Sequence, residues 1–138
     1  MERKHAFRAA SALAGIALAF GLGIAVGQRT PPTANQGVKI SSPTALDLTE
    51  EIDGVSGRQL RLRVVTIEPG GAVAVHSHNG RPAVAYVVQG VLTEHRDGSE
   101  TIDHYEGQSI IEGKDTTHWA ENKGNTPVVV VAVDVFKP

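Results

Sequence analysis

Two histidines one residue apart, His76 and His78, and a third forty residues further on, His118, are the side chains of this sequence best suited to chemistry. Imidazole is the commonest neutral metal ligand, and on a strand residues i and i+2 project to the same face of a sheet. His76 and His78 can therefore share one ion, and His118 joins them if the fold returns a later strand alongside the first. Three neutral ligands leave the charge of a divalent ion uncompensated, so a small anionic ligand is expected to bind. On iron(II), three facial imidazoles leave positions for water, substrate and dioxygen. On zinc they hold a water that ionises near neutral pH. Ligand count alone does not choose between the two.

The surrounding sequence supplies the strands this site needs. Val73-Ala74-Val75 leads into the histidine pair, residues 83–89 are rich in Val and Tyr, and Asp97-Gly98 is a hairpin-turn signal. Leu60, Leu62, Val64 and Thr66 alternate with Arg61, Arg63 and Val65, the period of a half-buried strand. Glu68-Pro69-Gly70-Gly71 then predicts a turn. Residues 109–112, 116–120 and 127–136 complete the series, and the unbroken apolar run 128–133 reads as a central strand buried on both faces. Short strands with regular turn signals predict an all-β sandwich or barrel, with no helix beyond the N-terminal segment.

The spacing of these residues resembles the two motifs of the cupin family, G-x5-H-x-H-x3,4-E-x6-G and G-x5-P-x-G-x2-H-x3-N. Gly70, His76, His78 and Gly90 match the first, and Gly107, His118 and Asn122 match the second. Ala83 stands where the family usually has a glutamate ligand, and Gly113 and Asp115 stand where it has Pro and Gly. The resemblance covers residues 46–138 and implies a double-stranded β-helix, the cupin jelly-roll barrel, that commonly dimerises through edge strands. Three-histidine cupins without the glutamate resemble thiol and diketone-cleaving dioxygenases. By that resemblance Fe2+ is favoured as the ion, with Zn2+ or Mn2+ as alternatives.

Two carboxylates are candidates for the missing one: Glu94 first, then Glu112 beside the second motif. His95 and His104 sit in charged strand segments, where a solvated or hydrogen-bonded role is the default and support of a ligand the minority reading. Trp119, Tyr86 and Tyr105 are expected as core fillers, with Trp119 on the face opposite His118. Arg81 is a loop arginine in position to steer an anion, and Asn122 is expected to bond local backbone.

The N-terminus has its own logic. Glu2, Arg3, Lys4, His5 and Arg8 precede a run from residue 9 to 27 without a charged side chain, ending in Ala25-Val26-Gly27. That pattern predicts an export segment over residues 1–27, either a cleaved signal peptide or an uncleaved membrane anchor. Residues 28–45, with Pro31-Pro32, read as a linker, and 46–138 as the one folded domain. The domain is expected in the periplasm or outside the cell, touching membrane only through the N-terminal segment. Cysteine is absent, so the core alone must stabilise it. Residues 1–27 hold three of the 13 Lys and Arg and one of the 15 Asp and Glu, which leaves 10 basic against 14 acidic groups, a formal charge of −4. So acidic a domain disfavours nucleic acid.

The expected activity is a metal-dependent, dioxygenase-type oxidation of a small anionic or chelating substrate. A non-enzymatic metal- or ligand-binding module and a zinc-dependent isomerase or hydrolase are the alternatives, and a homodimer is the expected assembly.

Overall fold

The computed structural model describes residues 30–97 and 100–138. Runs that alternate apolar and polar side chains, separated by glycines, make strands wherever one face can be buried. Among the described residues there are eight: β1 (Gln36–Asp47), β2 (Gln59–Ser77), β3 (Ala83–Gln89), β4 (Val91–Arg96), β5 (Glu100–Tyr105), β6 (Ser109–Glu112), β7 (Thr117–Glu121) and β8 (Val128–Phe136). No helix occurs among those residues. The strands hydrogen-bond in the order β5-β4-β7-β2-β8-β3-β6, with β1 added on β2, and every pairing is antiparallel. The result is an all-β, nearly closed barrel.

The expected turn at Glu68-Pro69-Gly70-Gly71 is instead a corner inside one 19-residue strand. Residues 59–67 of β2 lie against β8, and residues 72–77 lie against β7. The corner has a local cause. Pro69 has no N–H to give a ladder, Gly70 takes φ +76°, and a Cβ on Gly71 would lie 2.7 Å from the Gln36 carbonyl oxygen. Asn122 pins the bend: its carbonyl accepts from Gly70 N, its N–H donates to the Gly71 carbonyl, and its Nδ2 donates to Ile67 O at 2.9 Å and Thr126 O at 2.8 Å. A single strand thereby changes neighbours and delivers His76 beside β7.

The inward phase of the strands makes the core, with Ile67, Ala85, Val87, Leu92, Ile110 and Val128 at its centre. β8 is central, as its composition predicts. Its side chains alternate buried and half-buried, so it is sealed on the inner face only. On β2 the inward face carries Arg63, Val65 and Ile67, while Leu60 of the more apolar set stays exposed.

The chain read as linker over 28–45 includes strand from Gln36 onward, in register with β2 from Val38↔Ile67 to Leu46↔Leu60. Most side chains of β1 point to solvent, so their composition carries no burial pattern; backbone pairing with β2 makes the strand. β1 ends at Asp47, whose carboxylate accepts the Thr49 N–H at 2.9 Å. β4 and β5 form the expected hairpin, with Arg96 opposite Glu100. Gly98 of its turn and the export segment 1–27 lie outside the described residues.

Candidate metal centre

His76, near the end of β2, lies directly opposite His118 of β7 in the strand register. His78 follows β2 immediately, and its N–H donates to the Thr116 carbonyl at 2.9 Å. The three Nε2 atoms converge, with separations of 3.2 Å (His76–His78), 3.0 Å (His78–His118) and 3.1 Å (His76–His118). Metal–imidazole bonds of about 2.0–2.1 Å, at angles between octahedral and tetrahedral, place donor atoms about 2.8–3.4 Å apart. The three nitrogens therefore have the spacing of donors around one ion, and this group could hold one.

What lies behind each ring fixes its tautomer. His76 Nδ1 meets the Ala74 carbonyl at 2.8 Å, His78 Nδ1 the Arg81 carbonyl at 3.1 Å, and His118 Nδ1 a carboxylate oxygen of Glu94 at 2.5 Å. All three partners only accept, so each Nδ1 carries the proton and each Nε2 turns a lone pair toward the others. Facing lone pairs repel unless a cation lies between them. A proton on His76 or His78 is disfavoured, because burial holds the His76 imidazole below its ordinary range and His78 at about 4, against the opposing pull of their carbonyl partners. A divalent ion fits this donor set.

Glu94, the first candidate for a replacement ligand, is fully buried but stands behind His118 rather than among the Nε2 atoms. Its Oε2 meets His104 Nε2 at 2.7 Å, and Arg96 Nε donates at 3.0 Å to Oε1, the oxygen that faces His118. Burial pushes this carboxyl up, yet the hydrogen bonds from His118, His104 and Arg96 together outweigh burial and hold it at about 2. Glu94 is thus an anion that orients the His118 ring, and His104 supports it. Glu112, the second candidate, does face the nitrogens: its Oε2 lies 3.4 Å from His78 Nε2 and its Oε1 3.6 Å from His118 Nε2. Burial raises this carboxyl above its ordinary range, against the field of His118.

The imidazoles of His76 and His118 and the Glu112 carboxylate open on a cavity of about 70 Å³. Its remaining wall is apolar, including Val65, Ile67, Leu92 and Val130, with one further charged group, Arg63. The Arg63 Nε is buried and meets no acceptor among the described residues. Its guanidinium also lies 3.3 Å from Asp134, a buried carboxylate that receives a two-point hydrogen bond from Arg61 at 3.1 and 2.8 Å and faces Arg81 at 3.6 Å. Burial raises Asp134, but the Arg61 hydrogen bonds and the charges of Arg63, Arg61 and Arg81 bring it below its ordinary value. Arg81, considered as an anion guide, is turned toward this carboxylate.

The remaining candidates are structural. His95 stacks on Trp119 at 3.9 Å and its Nε2 meets Glu121 at 2.9 Å, so Trp119 is buried on the face away from His118. Tyr86 and Tyr105, expected in the core, are about half exposed because both fall on the outer phase of their strands. Sequence reasoning missed Asp134 and Arg63. The alternation through Arg61 and Arg63 was visible, but only the pairing with β8 shows that this polar face turns inward.

The family model for the cupin domain matches residues 63–135. Among curated proteins none matches the sequence. Of solved structures, a double-stranded β-helix protein from Klebsiella pneumoniae is 19% identical with a TM-score of 0.60, over 78% of this chain and 84% of that one. KdgF from Halomonas sp. is 17% identical with a TM-score of 0.56, over 76% and 86%. A Thermotoga maritima protein described as a predicted oxalate decarboxylase is 18% identical with a TM-score of 0.50, over 71% and 94%. At these identities the likeness is one of fold. The matched segment includes both histidine positions of β2 and its end, the returning strand β7 and the central strand β8, and this chain belongs to the cupin family.

Proposed function

We propose that this chain is a metal-dependent oxidoreductase of dioxygenase type that holds iron(II) on His76, His78 and His118 and acts on a small anionic substrate. The observation that carries the reading is the convergence of three Nε2 lone pairs, each fixed from behind by an acceptor, beside a largely apolar cavity. Iron(II) bound there would supply one-electron chemistry toward dioxygen while leaving coordination positions for substrate.

The chain's own residues support this chemistry in definite ways. The carbonyls of Ala74 and Arg81 and the Glu94 carboxylate keep the imidazoles oriented and neutral toward the ion. The apolar wall lowers the local dielectric and so strengthens charge interactions at the cavity. Arg63 lines the cavity with a guanidinium, whose positive charge suits a substrate carboxylate or other anion. The cavity has room for a few water molecules, so the substrate is a compact one. One structural relative is a predicted oxalate decarboxylase and another an oxalate oxidase, which is compatible with a small carboxylate here.

Oxygen consumption by the iron-loaded protein, screened against small thiols, diketones and carboxylates, tests the reading. Substrate-dependent uptake supports it. Turnover with zinc under anaerobic conditions would replace it with isomerising or hydrolytic chemistry, and binding without turnover would make the chain a ligand-binding module.

Location and assembly belong to the same proposal: an exported domain, released from or held by residues 1–27, that works as a homodimer. Support for pairing comes from an outward apolar row, Leu62, Val133, Val84 and Ile111, that crosses β2, β8, β3 and the edge strand β6. Ile111 is 74% exposed, a cost that a second copy would relieve. Ile111→Lys should shift a dimer toward monomer in analytical ultracentrifugation, and a wild-type monomer would refute the pairing.

A further inference from the structure

Three neutral imidazoles do nothing to offset the charge of a divalent ion, so a nearby carboxylate with no other cationic partner would be drawn to it. Two carboxylates flank Ala83 on the inner face of the barrel. Strand register sets Arg61, Asp134, Ala83 and Glu112 side by side across β2, β8, β3 and β6. Ala83, in the middle of this row, has no donor atom. Asp134 on one side of it is already occupied by Arg61, Arg63 and Arg81. Glu112, on the other side, faces the histidine nitrogens.

We infer that Glu112 is the carboxylate of this site and binds the metal as a fourth protein ligand. This assignment rests on the three-histidine reading and adds a residue to it. The geometry specifies a position. Glu112 reaches His78 Nε2 at 3.4 Å and His118 Nε2 at 3.6 Å, and among the described residues these two imidazoles, not His76, are its ion-pair partners. In an octahedral site with bonds of about 2.1 Å, adjacent donors lie about 3.0 Å apart and opposite donors about 4.2 Å apart. The Glu112 oxygens lie within a few tenths of an ångström of the spacing expected between neighbouring donors on one ion, next to His78 and His118. The carboxylate would remove one unit of the ion's charge and leave the remaining positions to substrate. Glu94 cannot play this part, since it contacts His118 through Nδ1, on the far side of the ring.

The test is cobalt(II) binding to the full chain by competition with a chromophoric chelator, together with the visible spectrum of the bound ion. Glu112→Gln keeps size and shape, and a ligand should matter at least as much as the hydrogen-bonding partners of ligands, whose loss weakens metal affinity about tenfold or more. The expected result is cobalt bound at least about tenfold more weakly, with an altered spectrum and an unchanged far-ultraviolet circular dichroism. Adding Ala83→Glu, which places a carboxylate on the neighbouring strand at the same level of the barrel, should restore affinity in part. Wild-type affinity and spectrum in Glu112→Gln would overturn the assignment while leaving the three histidines standing. A wild type that takes up no cobalt would overturn both.

Discussion

Glu94 Oε1 lies 2.5 Å from His118 Nδ1, so a carboxylate buried in β4 sets the orientation of an imidazole carried by β7. The same carboxylate is held by His104 from β5 and by Arg96 from its own strand, which ties three strands to the orientation of one imidazole.

Replacing that acceptor should loosen the ligand without removing it. Glu94→Gln is expected to weaken cobalt(II) binding about 10–100-fold, while saturation at high metal still reaches one ion per chain. A competitive titration checks both numbers. An unchanged affinity would mean that His118 is oriented by packing alone.

Asp134 predicts a stability effect separate from the site. Asp134→Asn leaves Arg61 and Arg63 facing each other without their carboxylate, and breaking a buried ion pair in this way costs about 3–5 kcal/mol. The acid limb should change as well. Both Asp134 and Glu94 titrate lower in the folded state than unfolded, so each contributes stability above its unfolded value and gives it up as pH falls. For Glu94 that loss runs from its ordinary 4.5 down to about 2. Urea unfolding of the wild type should therefore show falling stability below about pH 4.5, with a shallower fall in Asp134→Asn. Parallel curves for the two proteins would contradict the role given to Asp134.

Arg63 should separate anion binding from metal binding. Arg63→Gln is expected to leave the metal content intact and to weaken by about tenfold the acetate-induced change in the cobalt(II) spectrum, as loss of one charge-assisted hydrogen bond of about 1.5 kcal/mol implies. Equal acetate affinity in the two proteins would remove Arg63 from the ligand site.

Much of this architecture is legible in the residues themselves. The i, i+2 histidines, the returning His118 strand and the glycines at 70, 90 and 107, all with positive φ, are local features with local causes, and the fold places them as the motifs require. The hydrophobic run of β8 likewise announces a central strand. β1 was hidden because its contribution is backbone pairing and its side chains face solvent. The polar inner face escaped notice for a different reason. A one-residue change of register exchanges the two faces of a strand, so Arg63, Glu112 and Asp134 could be placed inside the barrel only once their partners were known. Glu94 and Glu112 read alike in sequence, and only the strand pairing sets one behind a ligand and the other in front of two.

The central claim is that one divalent ion sits on His76, His78 and His118. The direct measurement is elemental analysis of the full chain, purified without chelator or affinity metal, beside a His76→Ala, His118→Ala variant. Close to one first-row divalent metal per chain is expected in the wild type, with iron favoured, and its loss in a variant that remains folded. Equal metal content in the two proteins, or no metal in the wild type after exposure to iron(II), would contradict it.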